Sequence, residues 1–233
     1  RMTALQNAAH LSDNTGIFQT PATAANLGGW ATFEFGSTSS TTAAATQPNA
    51  EAGFARVQDH TVYGFYMGHE NSWVNASRYQ AGVGYLAEEN PLYLFYASKG
   101  ETTWGAGLSY SNSDKKANGK QSATGVNLSA EIGSGNVYAT LGLTNTATSK
   151  ATTPVTNDKF TGSMATILGG GYQMDSLYFY GEFGQMGGKE ENSNGSELSK
   201  TSTSNITFGV INSIKIEGGE FFYGVNYETA TQK

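Results

Sequence analysis

Gly125-Val126-Asn127-Leu128-Ser129-Ala130-Glu131-Ile132 is the stretch that decides the fold. Successive side chains of an extended strand point to opposite sides. Val126, Leu128, Ala130 and Ile132 therefore share one face, and Asn127, Ser129 and Glu131 the other. The alternation recurs: Val137, Ala139, Leu141 and Leu143 oppose Tyr138, Thr140 and Gly142, and Phe221, Tyr223, Val225 and Tyr227 oppose Phe222, Gly224, Asn226 and Glu228. Tyr79, Ala81, Val83 and Tyr85 alternate in the same way with Arg78, Gln80, Gly82 and Gly84. Segments of about nine to eleven residues are long enough to cross a bilayer as tilted strands. The pattern predicts an all-β chain, an antiparallel transmembrane β-barrel or open β-wall, with the apolar rows facing lipid. One such row would suit a soluble β-sandwich as well; many rows of similar length favour the barrel.

Composition agrees. The chain of 233 residues has 30 Gly, 13 Tyr and 12 Phe but only 4 Pro, and its mean hydropathy is −0.38. A barrel has such a polar average because only every second residue meets lipid. The absence of cysteine excludes disulfide frameworks, thiolate metal sites and cysteine nucleophiles. The net charge of −6 is thinly spread, and no basic cluster exceeds Lys115-Lys116, so nucleic acid is not an expected partner.

Strands are expected near 30–36, 51–57, 61–68, 78–86, 91–98, 102–111, 124–132, 136–146, 160–173, 176–186, 202–211 and 220–229, about twelve in all. Tight turns fit 133–136 and 174–176, and long polar loops fit 37–50, 69–77, 112–120, 148–158 and 188–200. Outer-membrane barrels put long loops on one rim and tight turns on the other. The second half of this assignment obeys that rule. The first half does not: the breaks at 87–90 and 98–101 are both short, which puts the long break at 112–120 on the wrong rim. Either one strand is miscounted or the chain is not a simple up-and-down barrel.

Residues 1–29 differ from residues 30–233 and read as a leader packed inside or beneath the wall. Ala4, Leu5, Ala8, Ala9 and Leu11 suggest one face of a short helix, with Gly16 as its left-handed stop. Aromatic residues at row ends, namely Tyr79, Tyr85, Trp104, Tyr110, Tyr172 and Tyr227, suit interfacial girdles. Some strands are apolar on both faces. Leu92 to Tyr96 is one; Tyr63, Phe65 and Met67 lie opposite Val62 and Tyr66; Met164, Leu168 and Tyr172 lie opposite Ala165 and Ile167. Burial against a plug or a neighbouring subunit would explain this, and so would a lumen that holds lipid. The residues expected to contact lipid are Tyr63, Phe65, Met67, Tyr93, Phe95, Val126, Leu128, Leu141, Leu143, Phe221 and Tyr223.

The leader reads Arg1-Met2-Thr3-Ala4-Leu5-Gln6-Asn7-Ala8, then Leu11-Ser12-Asp13-Asn14, then Ile17-Phe18-Gln19-Thr20-Pro21-Ala22. It resembles the plug segment of FadL-type fatty-acid transporters, with Thr20-Pro21-Ala22 in place of their Asn-Pro-Ala; this chain is too short for that larger barrel, so their mechanism is not carried over. Across its whole length, in its Gly/Tyr-rich strands and its Asp13-Asn14-Thr15-Gly16-Ile17-Phe18 leader, the chain resembles the porin-like major outer-membrane proteins of predatory bacteria (PopA-like). That resemblance implies a bacterial outer-membrane location and a ring-shaped homo-oligomer, a pentamer, whose β-wall encloses membrane lipid. The alternative is a small monomeric diffusion porin for polar solutes. Outer-membrane barrels usually end on an aromatic residue. This chain ends Tyr227-Glu228-Thr229-Ala230-Thr231-Gln232-Lys233, so either one or more strands lie beyond the sequence, the favoured reading, or the wall closes in an unusual way.

No enzyme, cofactor or metal site is expected. His10, His60 and His69 have no converging ligands at recognisable spacing. No motif surrounds a candidate nucleophilic serine, and a triad is defined by geometry. Leu168-Gly169-Gly170-Gly171 lies in a strand pattern and not in a phosphate loop. Glu88-Glu89 and Glu190-Glu191 read as solvated turns. Arg56 and Arg78, placed on strands, would face an aqueous interior or pair with Glu34, Glu131 or Glu182.

Overall fold

The computed structural model describes residues 15–37, 48–80, 88–115, 119–149, 158–216 and 219–233. Twelve strands form one antiparallel sheet: β1 (Trp30–Ser37), β2 (Pro48–Gln58), β3 (Thr61–Met67), β4 (Leu92–Ser98), β5 (Thr102–Lys115), β6 (Gly119–Ile132), β7 (Gly135–Ser149), β8 (Lys159–Gly162), β9 (Ala165–Met174), β10 (Leu177–Glu191), β11 (Glu197–Ile216) and β12 (Gly219–Gln232). Each pairs with its neighbours in sequence, except that β8 and β9 share one position between β7 and β10. They are the strand expected at 160–173, broken at Ser163–Met164. Among the described residues β1 and β12 are the two edges of the meander and do not pair with each other.

One expected strand is wrong. Residues 78–80 belong to helix α2 (Ser72–Gln80), and 81–86 lie outside the described residues. Trp73, Val74, Ser77 and Arg78 recur at helical spacing and are the buried face of α2. Tyr79 is exposed on that helix, so it joins neither an apolar row nor a girdle; Ala81, Val83 and Tyr85 fall outside the described residues. Removing this strand restores the alternation of rims. Short connections, at 59–60, 99–101, 133–134, 175–176 and 217–218, now all fall at one end of the sheet. The connections after β1, β3, β5, β7 and β10 lie at the other, and four of these five are longer than three residues.

Glycine and tyrosine have a shared use. Inward rings lie across glycines of the next strand: Tyr66 over Gly53, Phe95 over Gly64, Tyr93 over Gly107, Tyr138 over Gly169, Tyr178 over Gly171 and Tyr180 over Gly209. A Cβ at any of these glycines would collide with the ring, so the pairs fix where the wall lets an aromatic lie flat. On β7, Leu143 is an extra residue between the pairs Gly125↔Gly142 and Thr124↔Thr144. This bulge turns Asn145 and Ala147 inward, in register with Gln121 and Ala123 of β6.

Two plugs cover part of the concave side and leave both faces of β12 exposed. Two 3₁₀ turns (Gly16–Phe18 and Pro21–Thr23) and helix α1 (Ala24–Leu27) cross the concave side at the tight-turn end. Ile17 and Ala24 pack into Ala55, Val62, Tyr66, Tyr93, Phe95 and Ala97, with Phe18 edge-on to Tyr66. Gly16 opens a 3₁₀ turn and is not the left-handed stop. The leader's left-handed glycine is Gly28 (φ 75°), where the chain turns from α1 into β1. The helix expected over Ala4–Leu11 lies outside the described residues. Gly105 lies against the backbone of Pro21 and Ala22, and the Ala22 N–H donates to Ser129 Oγ at 2.8 Å. Gly105→Val should therefore push the leader off the wall at a cost of about 1–3 kcal/mol. Limited proteolysis should then cut near 16–27, a segment expected to resist in the native protein.

Candidate functional site

The two faces of the sheet are inverted relative to a soluble protein. The concave wall of β5–β7 is small and polar, and its Thr103, Ser109, Ser111, Gln121, Asn127, Ser129, Thr140, Asn145 and Ser149 are all buried. Large apolar side chains stand on the convex face: Trp104, Leu108 and Tyr110 on β5, Leu128 and Ile132 on β6, Val137 and Leu143 on β7, Phe179 on β10, Ile206 and Phe208 on β11. The convex rows change character at a common level: Tyr110 gives way to Asn112 and Asp114, Val126 to Thr124 and Ser122, Leu143 to Thr144 and Thr146, and Tyr227 to Thr229 and Thr231. Phe221 to Tyr227 spans six rises, roughly 20 Å along the strand at about 3.3 Å per residue and less in height once the strand tilts. The apolar belt of an outer-membrane barrel is about 25 Å tall. Above the band, towards the long connections, the strands continue with polar outer faces.

Of the residues expected to contact lipid, Tyr63, Phe65, Met67, Leu128, Leu143, Phe221 and Tyr223 are exposed on the convex face, and Val126 and Leu141 stand half-buried in the same rows. Tyr93 and Phe95 require correction. They point inward and are covered by the leader, and Tyr93 Oη donates to the Ile17 carbonyl at 2.8 Å. Their strand is apolar on both faces because a plug covers one of them. The same holds on β9, where Ala165 and Ile167 pack against α2. Trp104 and Tyr110 end the outer row of β5, and Tyr227 ends that of β12, as girdle residues should. Arg56 is also corrected: it shares the outer face with Phe54 and is exposed.

Helix α2 plugs the other half of the concavity, level with the polar extension. The Trp73 ring lies on Gly125 and Gly142, beside Ala123 and Ala165. Arg78 is on the helix and completely buried. Its Nε donates to Asn145 Oδ1 at 2.8 Å, and Nη2 donates to Gln121 Oε1 at 3.0 Å and to the Thr146 carbonyl at 3.3 Å. None of the partners expected for Arg78 is used. The facing carboxylate is Glu88, which is buried and not a solvated turn residue. Glu88 accepts from Asn71 N at 2.6 Å and Asn71 Nδ2 at 2.8 Å. Burial pushes the Glu88 carboxyl above its ordinary value, against the pull of Asn71, Ser111 and the Arg78 charge. Burial lowers Arg78 to about 10, so it stays charged at neutral pH.

Sequence reasoning missed Arg78, Glu88, Asn71 and Asn145 as a set. The one available signal was the broken alternation of rims. His69 joins the two plugs: its ring stacks on Phe18 (3.6 Å between centroids, 7° between planes) and bonds Glu51 Oε2 at 3.2 Å. Among the described residues no three His, Asp or Glu side chains converge as metal ligands. No helix among them is long and apolar enough to cross a membrane. No family model, no curated protein and no solved structure matches the chain.

Proposed function

We propose that the chain is a porin-like protein of the bacterial outer membrane, and that copies of it assemble into a symmetric β-wall holding membrane lipid. The observation that carries this reading is the inversion of burial, with Leu128, Phe208, Phe221 and Tyr227 outside and Ser109, Asn127 and Thr140 inside. Water would penalise such an outer band, and hydrocarbon favours it.

Assembly is supported by the edges. β12 is exposed along both faces from Phe221 to its end, and β1 is its counterpart at the far side of the sheet. In hydrocarbon a free strand edge leaves backbone groups unsatisfied, so an open wall needs a further strand at each edge, which another copy supplies in this reading. The resemblance to the PopA-like proteins puts the copy number at five. A monomeric diffusion channel is the second reading, favoured by the polar inner wall of β5–β7; the leader and α2 now occupy that wall.

Native mass spectrometry from mild detergent tests the choice. A discrete oligomer that keeps several lipids through gentle activation is the expected result. A bare monomer would overturn the assembly and leave the diffusion channel.

A further inference from the structure

We infer that α2 is a releasable stopper over a polar recess, whereas the leader is a permanent part of the core. The inference goes beyond the proposed function and does not depend on the sheet standing in a membrane.

The two plugs are held in different ways. The leader fills an aromatic pocket made by Tyr66, Tyr93 and Phe95 with Ile17 and Phe18, and lifting it would expose all of that apolar surface. The cluster under α2 is smaller: Trp73 and Val74 on the helix against Ala123 and Ala165 of the wall, with Ile167 and Met186 packed against them in part. The other ties of α2 are polar. Arg78 bonds Asn145 and Gln121, Asn145 Nδ2 donates to the Val74 carbonyl at 3.1 Å, and Thr203 Oγ1 donates to Gln80 Oε1 at 2.9 Å. Water can replace such bonds at little net loss, and two buried charges regain full hydration on release. The wall left behind presents Ser111, Gln121 and Asn145, which suits water. Among the described residues release would expose Trp73 and Val74 with the partly buried Ile167 and Met186, and the Trp73 ring rests on glycines, which interlock with nothing. α2 sits at the long-connection end, so the recess opens to that side. Opening would turn the upper concavity into a water-filled chamber while the leader still seals the lower one.

The chain has no cysteine, so single thiols report local opening cleanly. Ala123→Cys lies under α2 and Ala97→Cys under the leader; the native alanines are 1% and 0% exposed. Both variants are purified folded and labelled with a water-soluble maleimide, and each rate is normalised to that of the same unfolded chain. Ala123→Cys should label at least about tenfold faster than Ala97→Cys, since local openings expose one and not the other. Ser111→Cys, buried beside the Arg78 partners Gln121 and Glu88, is the second reporter should Ala123→Cys fail to fold. Adding Arg78→Met should speed labelling at position 123 or 111 by a larger factor than at position 97, where only the change in global stability counts. Equal normalised rates at the two sites, or faster labelling at 97, would overturn the inference, because only global unfolding would then expose either wall.

Discussion

Arg78→Met should destabilise the fold by about 3–5 kcal/mol, read as a shift in the midpoint of chemical denaturation. Methionine keeps much of the length of the side chain, so the loss is chiefly charge and hydrogen bonding. Asn145 Oδ1 and the Thr146 carbonyl lose a donor in a site without solvent, Gln121 Oε1 keeps only the longer bond from Ser111 Oγ at 3.3 Å, and the Glu88 carboxylate loses the Arg78 charge that faces it. A buried charge left without its partner accounts for most of the penalty. Adding Glu88→Gln should therefore recover about half of it or more, and a double-mutant cycle would isolate the coupling. No recovery would mean that Arg78 acts through its hydrogen bonds, to Asn145, Gln121 and Thr146 among others, and not through Glu88.

The pH dependence gives a second readout. A carboxyl held above its unfolded value in the folded protein contributes stability that is fully present below the ordinary 4.5 and is lost as pH rises through the folded value. Removing Arg78 removes a charge that lowers Glu88, so the folded value rises further and the window widens upward. The deficit of Arg78→Met relative to the native protein should thus be larger at about pH 7 than at about pH 5. A deficit independent of pH would separate Glu88 from the effect.

The outer band was legible in the sequence because a strand has a strict period of two. Val126 to Ile132 and Phe221 to Tyr227 could fall in no other way once extended. The interior was not, because which residues cover the inner rows depends on contacts remote in sequence. Nothing near Tyr93 announces that Ile17 lies over it. Arg78 to Tyr85 alternates as well as any strand, whereas the true helical face of α2 contains Ser77 and Arg78, polar residues that conceal the helical period. The alternation of rims carried the missing information, since it could not be satisfied with that strand in place. Glu88 looked solvated because a charged pair in a turn usually is. It became buried when α2 folded back over the wall, a tertiary event without a local signature.

Leu128→Arg separates the membrane reading from a soluble one. Leu128 is half-exposed on the convex face of β6, midway along the apolar row between Val126 and Ile132, with its inward neighbours Asn127 and Ser129 buried. If that face meets water, an arginine there gains hydration and alters stability by no more than about 0.5 kcal/mol, the usual range for a surface substitution. If it meets hydrocarbon near mid-depth, the same change should cost about 2–4 kcal/mol, read as a loss of insertion into lipid vesicles or of stability in them. Depth provides the internal control. Thr144→Arg lies on the same convex face just above the apolar row of β7, where the penalty should fall to about 1 kcal/mol or less. The difference between the two sites thus measures a gradient along the sheet, which a generally poor tolerance of arginine would not produce. Equal, small effects at both positions would place the band in water. The exposed Phe208, Phe221 and Tyr227 would then have to be covered by protein, and the lipid-holding wall would be excluded with them.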